Sequence, residues 1–247
     1  MKNRSILFVA CLLISKLSNA QNLSLFGVLP AISQTGAINK KFNYNLFVST
    51  TIDAFDVKLN NVDYPSSDYQ LYIQPSLIYT ISPNFNVAAS YTYSRSNPFL
   101  ESYTNEHRVW QQAIYSFALS KVKVTNRLRF EERFIQDRKT GDYPLRTRLR
   151  YQLGFNMPLQ GRTLDKHEFY VNAYNEFYFS LTGNKNATFS ENWTYAGVGY
   201  NLGNMGKLEL GYLLQTSVRD LQQDLRFFNL AQVMWVTNFN FFKKKTQ

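Results

Sequence analysis

From residue 41 onward, apolar and polar side chains alternate along segment after segment of the chain. A period of two places every second side chain on the same face of an extended strand. Phe42, Tyr44, Leu46, Val48 and Ile52 share one face, while Asn43, Asn45, Ser49, Thr51 and Asp53 fall mostly on the other. Leu71, Ile73, Leu77 and Tyr79 likewise oppose Gln70, Gln74, Ser76 and Thr80, and Phe85, Val87, Ala89, Tyr91 and Tyr93 oppose Asn86, Ser90, Thr92 and Ser94. Ser82-Pro83-Asn84, between those two segments, is a tight-turn signal. Further strands are expected at about 104 to 119, 166 to 180, 189 to 200, 206 to 218 and 226 to 242.

Strands of ten or more residues exceed the roughly five or six typical of a soluble sandwich. They match the roughly 9 to 11 residues with which a tilted strand crosses a bilayer. Short links near 81 to 84, 120 to 122 and 201 to 206 alternate with longer polar ones near 54 to 68, 95 to 103, 136 to 143, 181 to 188 and 219 to 225; the link 156 to 165 is long for its class. The expected fold is therefore all-β, an antiparallel transmembrane β-barrel of 10 to 12 strands with a polar, charged lumen. Ten strands fit between residues 41 and 242. The segment 22 to 34 also looks strand-like at Leu23, Leu25 and Phe26, and would make eleven. An even count then requires either a twelfth strand hidden in 54 to 68 or an N-terminal segment inside or beneath the barrel.

The charged segments fix which face looks inward. Arg127, Arg129, Glu131 and Arg133 lie on one face, with Leu128, Phe130 and Phe134 on the other; Arg146, Arg148 and Arg150 oppose Leu145, Leu149 and Tyr151. An arginine turned toward hydrocarbon costs about 2 to 4 kcal/mol near the midplane, so these rows are expected in the lumen. Glu168, Tyr170, Asn172, Tyr174 and Glu176 oppose Phe169, Val171, Ala173, Phe177 and Phe179, and Arg108 and Glu209 are assigned inward as well. The expected lumen network is Arg108, Arg127, Arg129, Glu131, Arg133, Arg146, Arg148, Arg150, Glu168, Glu176 and Glu209. A narrow barrel of this size is filled by its own side chains, and charge-assisted hydrogen bonds would tie its wall together. The functional alternative is an anion passage or a site for a phosphorylated ligand, since arginine forks suit phosphate as well as carboxylate.

The N-terminus places the chain outside the cytoplasm. Basic Lys2 and Arg4, an apolar stretch from Ile6 to Ile14 and small or polar Ser18, Asn19 and Ala20 form a secretory signal peptide, with cleavage expected before Gln21. Residues 21 to 247 then form a single outer-membrane barrel domain. The only cysteine, Cys11, lies within the signal, which excludes disulfide and thiol chemistry from the mature chain. Of 27 basic and 17 acidic residues, Lys2, Arg4 and Lys16 leave with the signal, so the surplus falls from +10 to +7. That surplus suits lipid phosphates, and no basic block in the body of the chain points to nucleic acid. Lys243-Lys244-Lys245 reads as a solvated tail.

Motifs for chemistry are sparse. There is no Gly-x-Ser-x-Gly elbow, and His107 and His167 have no metal-ligand spacing. No cofactor is expected. Gly197-Val198-Gly199-Tyr200-Asn201-Leu202-Gly203 has the wrong spacing for a phosphate loop and reads as a strand and turn.

Several stretches carry a family resemblance. They are Asn105-Glu106-His107-Arg108-Val109-Trp110-Gln111-Gln112, Arg127-Leu128-Arg129-Phe130-Glu131-Glu132-Arg133-Phe134 followed by Arg146-Thr147-Arg148-Leu149-Arg150-Tyr151, and Asn175-Glu176-Phe177-Tyr178-Phe179. With Glu191-Asn192-Trp193, Gly197-Val198-Gly199-Tyr200 and Leu210-Gly211-Tyr212-Leu213-Leu214-Gln215, they make residues 100 to 240 resemble the outer-membrane barrel family known as domain of unknown function 2490. The resemblance implies a barrel and no activity. Three functions are carried forward. The first is a non-enzymatic barrel of a Gram-negative outer membrane, structural or giving limited passage to small solutes, with membrane lipids, lipopolysaccharide and the barrel-assembly machinery as partners. The second is a membrane enzyme acting on lipid or lipopolysaccharide, and the third is a secreted soluble β-sandwich with a binding role.

Overall fold

A computed structural model of the chain describes residues 22–59, 62–183, 188–218 and 224–241. The expected signal peptide, its cleavage point and Lys243-Lys244-Lys245 lie outside the described residues. Eleven strands form one closed barrel: β1 (Leu23–Ala37), β2 (Phe42–Asp53), β5 (Ser67–Ser82), β6 (Phe85–Ser96), β7 (Thr104–Leu119), β8 (Val122–Ile135), β9 (Leu145–Pro158), β10 (Phe169–Ser180), β11 (Phe189–Asn201), β12 (Lys207–Val218) and β13 (Leu225–Asn238). Two three-residue strands, β3 (Val57–Leu59) and β4 (Val62–Tyr64), pair only with each other. A single 3-10 turn, Gly203–Met205, links β11 to β12. No helix among the described residues is long and apolar enough to cross a membrane. Since the wall closes on itself, the two-sheet sandwich is set aside.

Every neighbouring pair is antiparallel except the closing one, where β1 runs parallel to β13 from Leu23↔Arg226 to Thr35↔Asn238. This seam explains the strand count. An all-antiparallel closed barrel needs an even number of strands, whereas one parallel contact admits eleven. Neither sequence-based alternative is realised: the segment after β2 holds a separate hairpin, and the N-terminal residues are wall. Leu23 therefore stands at the end of the barrel that carries the longer loops, and the tight turns Pro83-Asn84 and Ser120-Lys121 stand at the other. Two local features fit β1 into place. A side chain at Gly27 would collide with the carbonyl of Ile52 on β2, so the two backbones approach closely there only because Cβ is absent. Pro30 has no N–H to give, and the β1–β2 ladder skips from Val28↔Ile52 to Ala31↔Ser49 around it.

Alternation separates the two faces of the wall. Phe26, Leu46, Leu77, Tyr91, Val109, Leu128, Tyr151, Phe177, Val198, Leu210 and Val233, one from each wall strand, are exposed on the outside. The inside is divided. On β1 and β11 to β13, Leu23, Leu25, Leu29, Ala31, Tyr195, Leu213, Phe228 and Leu230 form a buried apolar cluster. Val57, Leu59 and Tyr64 of the β3–β4 hairpin pack on it, so the hairpin folds back over the loop-side end of the barrel. The hairpin's base is tied by Asp56, whose carboxylate accepts the Ser66 N–H at 2.6 Å and is held below its ordinary pKa by that bond. Of the remaining arc, β2, β5 and β6 bury mainly neutral polar side chains (Ser49, Thr51, Gln74, Ser90, Thr92, Ser94), and β7 to β10 are ionic.

The parallel seam predicts a pattern of engineered disulfides. Ser24→Cys with Phe227→Cys, and Ile32→Cys with Trp235→Cys, pair direct neighbours and are expected to cross-link on oxidation of the folded protein. Ser24→Cys with Trp235→Cys is expected to remain reduced on a non-reducing gel; cross-linking of this mixed pair instead of the other two would mean an antiparallel seam.

Candidate functional site

Strands β7, β8 and β9 lie side by side, and their inward positions coincide in register. Arg108 sits beside Arg133, Arg129 beside Arg150, Glu131 beside Arg148 and Arg133 beside Arg146. Rows of like charge at this spacing are repulsive, so the arrangement holds only where carboxylates come between them. Glu131 does this at the centre. Its carboxylate is fully buried; one oxygen receives Nε and Nη2 of Arg148 at 2.7 Å each, and the other receives Nη1 of Arg150 at 2.8 Å and Nη1 of Arg108 at 3.3 Å. Arg129 approaches to 3.8 Å.

Two further carboxylates extend the network in opposite directions. Toward the loop end, Glu106 is gripped by Nε and Nη2 of Arg133 at 2.7 and 2.9 Å and by Nε of Arg108 at 2.9 Å. Toward β10, Glu176 takes Nε and Nη2 of Arg150, and Nη2 of Arg127, all at 2.8 Å. Glu191 on β11 accepts Nη1 of Arg148 at 3.0 Å and the indole N–H of Trp193 at 3.2 Å. Six arginines (Arg108, Arg127, Arg129, Arg133, Arg148, Arg150) thus meet four glutamates (Glu106, Glu131, Glu176, Glu191), which leaves two positive charges over. Neutral acceptors and ring faces take up part of that excess. Arg129 donates to Gln112 at 2.9 Å and lies 3.8 Å from the Trp110 ring centre, while Arg148 and Arg150 flank the Tyr178 ring at 4.7 and 4.4 Å.

Aromatic side chains mark the boundary with the apolar arc. Tyr178 packs on Trp193 at 5.1 Å, and Tyr174 stacks on Tyr195 at 5.1 Å. Beyond them Glu209 is buried in a different setting: Tyr195 donates to it at 2.7 Å and Asn172 at 3.1 and 3.2 Å, with no ion pair among the described residues. Glu209 is therefore inward but separate from the arginine cluster.

The sequence-derived set is divided by these positions. Arg108, Arg127, Arg129, Glu131, Arg133, Arg148, Arg150 and Glu176 are brought together. Glu168 is not: it precedes β10 and accepts the Asp165 N–H at 3.0 Å in the connecting loop. Arg146 faces the loop-side mouth and has no ion pair or hydrogen bond among the described residues. Glu106 and Glu191 were missed although the signal was present. Each lies two residues from an inward group, Glu106 from Arg108 and Glu191 from Trp193, and alternation carries both inside. The histidines stand apart from the network. His107 contacts the Tyr91 hydroxyl at 2.5 Å among outward rings, and His167 occupies a left-handed turn with φ 63°.

Fold and lumen together define a closed mixed β-barrel whose interior is held by an arginine–glutamate network. The chain belongs to the family described as Protein of unknown function (DUF2490), whose sequence profile matches residues 31–225. The match begins well before residue 100, so the N-terminal strands share in the family's pattern. No curated protein matches the chain.

Removing the charge of Glu131 while keeping its shape isolates the network's contribution. Glu131→Gln leaves buried guanidiniums without their carboxylate and is expected to cost about 3 to 5 kcal/mol. Glu209→Gln disturbs neutral donors only, with an expected cost of about 1 to 3 kcal/mol. Urea unfolding in detergent, followed by tryptophan fluorescence, measures both; a larger loss for Glu209→Gln would refute the ranking.

Proposed function

We propose that this barrel is an integral protein of a Gram-negative outer membrane, exported by its N-terminal signal peptide and acting there as a sealed, non-enzymatic scaffold. Its contacts are the membrane lipids and lipopolysaccharide, and barrel-assembly machinery inserts it. The observation that carries the proposal is the distribution of charge and apolar surface across the wall. Each of the eleven strands presents an exposed apolar side chain outward, whereas Glu106, Arg108, Arg129, Glu131, Arg148, Arg150 and Glu176 of β7 to β10 are buried inside. In water this arrangement would expose far more apolar surface than a soluble monomer tolerates. In a bilayer it is the favourable orientation, and a closed barrel leaves no backbone edge to satisfy.

The sealed lumen supports a scaffold over a channel. The ion-pair network fills one arc, the apolar cluster a second and buried neutral polar side chains of β2, β5 and β6 a third, and the β3–β4 hairpin packs on the cluster near the loop-side end. Passage would require breaking buried, charge-assisted bonds, each stronger than an ordinary hydrogen bond. The enzyme alternative has less support: among the described residues no histidine contacts a serine, and His107 and His167 are held by tyrosine and backbone groups.

Two measurements test this reading. Purified protein is expected to require detergent, to be rich in strand by circular dichroism and to migrate faster unboiled than boiled on a gel; a monodisperse monomer without detergent would eliminate the membrane placement. Vesicles containing the wild type are expected to retain small anions, whereas Arg129→Ala combined with Arg148→Ala, which empties the lumen of two large side chains, should leak them. Equal, rapid leakage from both would replace the scaffold with a channel.

A further inference from the structure

At the loop-side mouth the lumen opens into a pocket of about 470 Å³ lined by Arg133, Arg146, Arg148 and Arg226, with Glu191 and Ser217. The four cations differ in what they already bind. Arg133 is committed to Glu106, and Arg148 to Glu131 and Glu191. Among the described residues Arg146 has no hydrogen-bond or ion-pair partner, and Arg226 donates to the Tyr69 hydroxyl but has no carboxylate partner. Among the described residues these two guanidiniums of the cavity thus stand without an ion-pair partner. They come from strands on different sides of the lumen, Arg146 from β9 and Arg226 from β13.

Arg146 is also held in position. Gly183 has φ 73°, and a Cβ there would lie 2.5 Å from Cγ of Arg146 and 3.1 Å from its Cδ. The backbone of the β10–β11 loop thus packs directly on the arginine's stem and leaves the guanidinium as its polar end.

We propose that the pocket binds a phosphate group carried as a monoester or as the free ion. The charge count favours it: phosphate carries about −1.5 to −2 at neutral pH, which matches two guanidiniums that have no carboxylate partner among the described residues, whereas a single carboxylate matches one. The geometry favours it too, because an arginine fork meets a phosphate edge with two parallel N–H···O bonds. The Ser217 hydroxyl adds a neutral donor on the same wall. Burial at a barrel mouth strengthens these contacts relative to open solvent. The same phosphate could arrive on a soluble molecule or on a lipid headgroup.

Calorimetric titration of the full mature chain with inorganic phosphate, in an amine-oxide detergent at fixed chloride, tests the site. One saturable binding event is expected. Arg146→Ala should weaken it at least about tenfold, the scale of one lost charge-assisted contact, without moving the thermal transition. Arg146→Lys should restore only part of the affinity, because the fork is lost though the charge remains. Lys41→Ala, which removes a cation beside Tyr79 at the opposite, turn-side end of the barrel, should change nothing. Micelles doped with phosphatidic acid, and not those doped with phosphatidylcholine, should displace bound phosphate if the natural source is a lipid; if neither displaces it, the source is soluble. No saturable phosphate binding, or binding untouched by Arg146→Ala, overturns the proposal.

Discussion

One buried carboxylate sets the terms for three of the eleven wall strands. Glu131 sits where β7, β8 and β9 bring their inward arginines into direct register, and without it those rows would repel one another at close range. The requirement is mutual, because a buried carboxylate is itself untenable without cations and donors around it. Register follows from this. A slip of one residue in β8 would turn Arg129, Glu131 and Arg133 to the outside and bring Leu128 and Phe130 in, exchanging every favourable contact on both faces at once. The ionic cluster therefore has its value less in net energy, which buried ion pairs often fail to supply, than in permitting only one alignment of three neighbouring strands.

The apolar arc on β1 and β11 to β13 closes its part of the lumen by different physics. Leu23, Leu25, Leu29, Phe228 and Leu230 pack without directional bonds, and the rings of Tyr174, Tyr178, Trp193 and Tyr195 separate them from the charges. Tyrosine and tryptophan suit this boundary because each offers an apolar body and a polar tip. Tyr195 packs among the leucines while its hydroxyl serves Glu209, and Trp193 packs on Tyr178 while its N–H serves Glu191.

Much of this was legible from alternation alone. Strand positions from residue 41 onward, the inward direction of the arginines and the alternation of short and long links all follow from a period of two, since each side chain's face is fixed by its parity. Three features were not legible. Both faces of β1 are apolar, Leu25 and Leu29 inside with Phe26 and Val28 outside, so parity carries no direction there. The hairpin Val57–Leu59 and Val62–Tyr64 is too short to announce itself by periodicity. Whether the first and last strands run parallel depends on where distant ends meet, which no local pattern encodes. Glu168 illustrates the converse error: it has the parity of Tyr170 and Asn172, but the strand begins only at Phe169, and parity has no meaning beyond a strand's end.

The seam between β1 and β13 also orders events in time. Its partners lie far apart along the chain; the Leu225 N–H, for instance, meets Asn22 across 203 positions of sequence. Every other wall contact joins strands adjacent in sequence, apart from β2 with β5 across the small hairpin. Hairpins can therefore form from neighbour to neighbour, whereas this one junction must wait for the whole sheet to curl, and contacts of such long range are entropically the slowest to make. Until then β1 and β13 are two open edges, each with unpaired backbone groups able to recruit a foreign strand. The closing seam is thus a kinetic vulnerability: the barrel has a zipper, and its last tooth joins the first strand to the last.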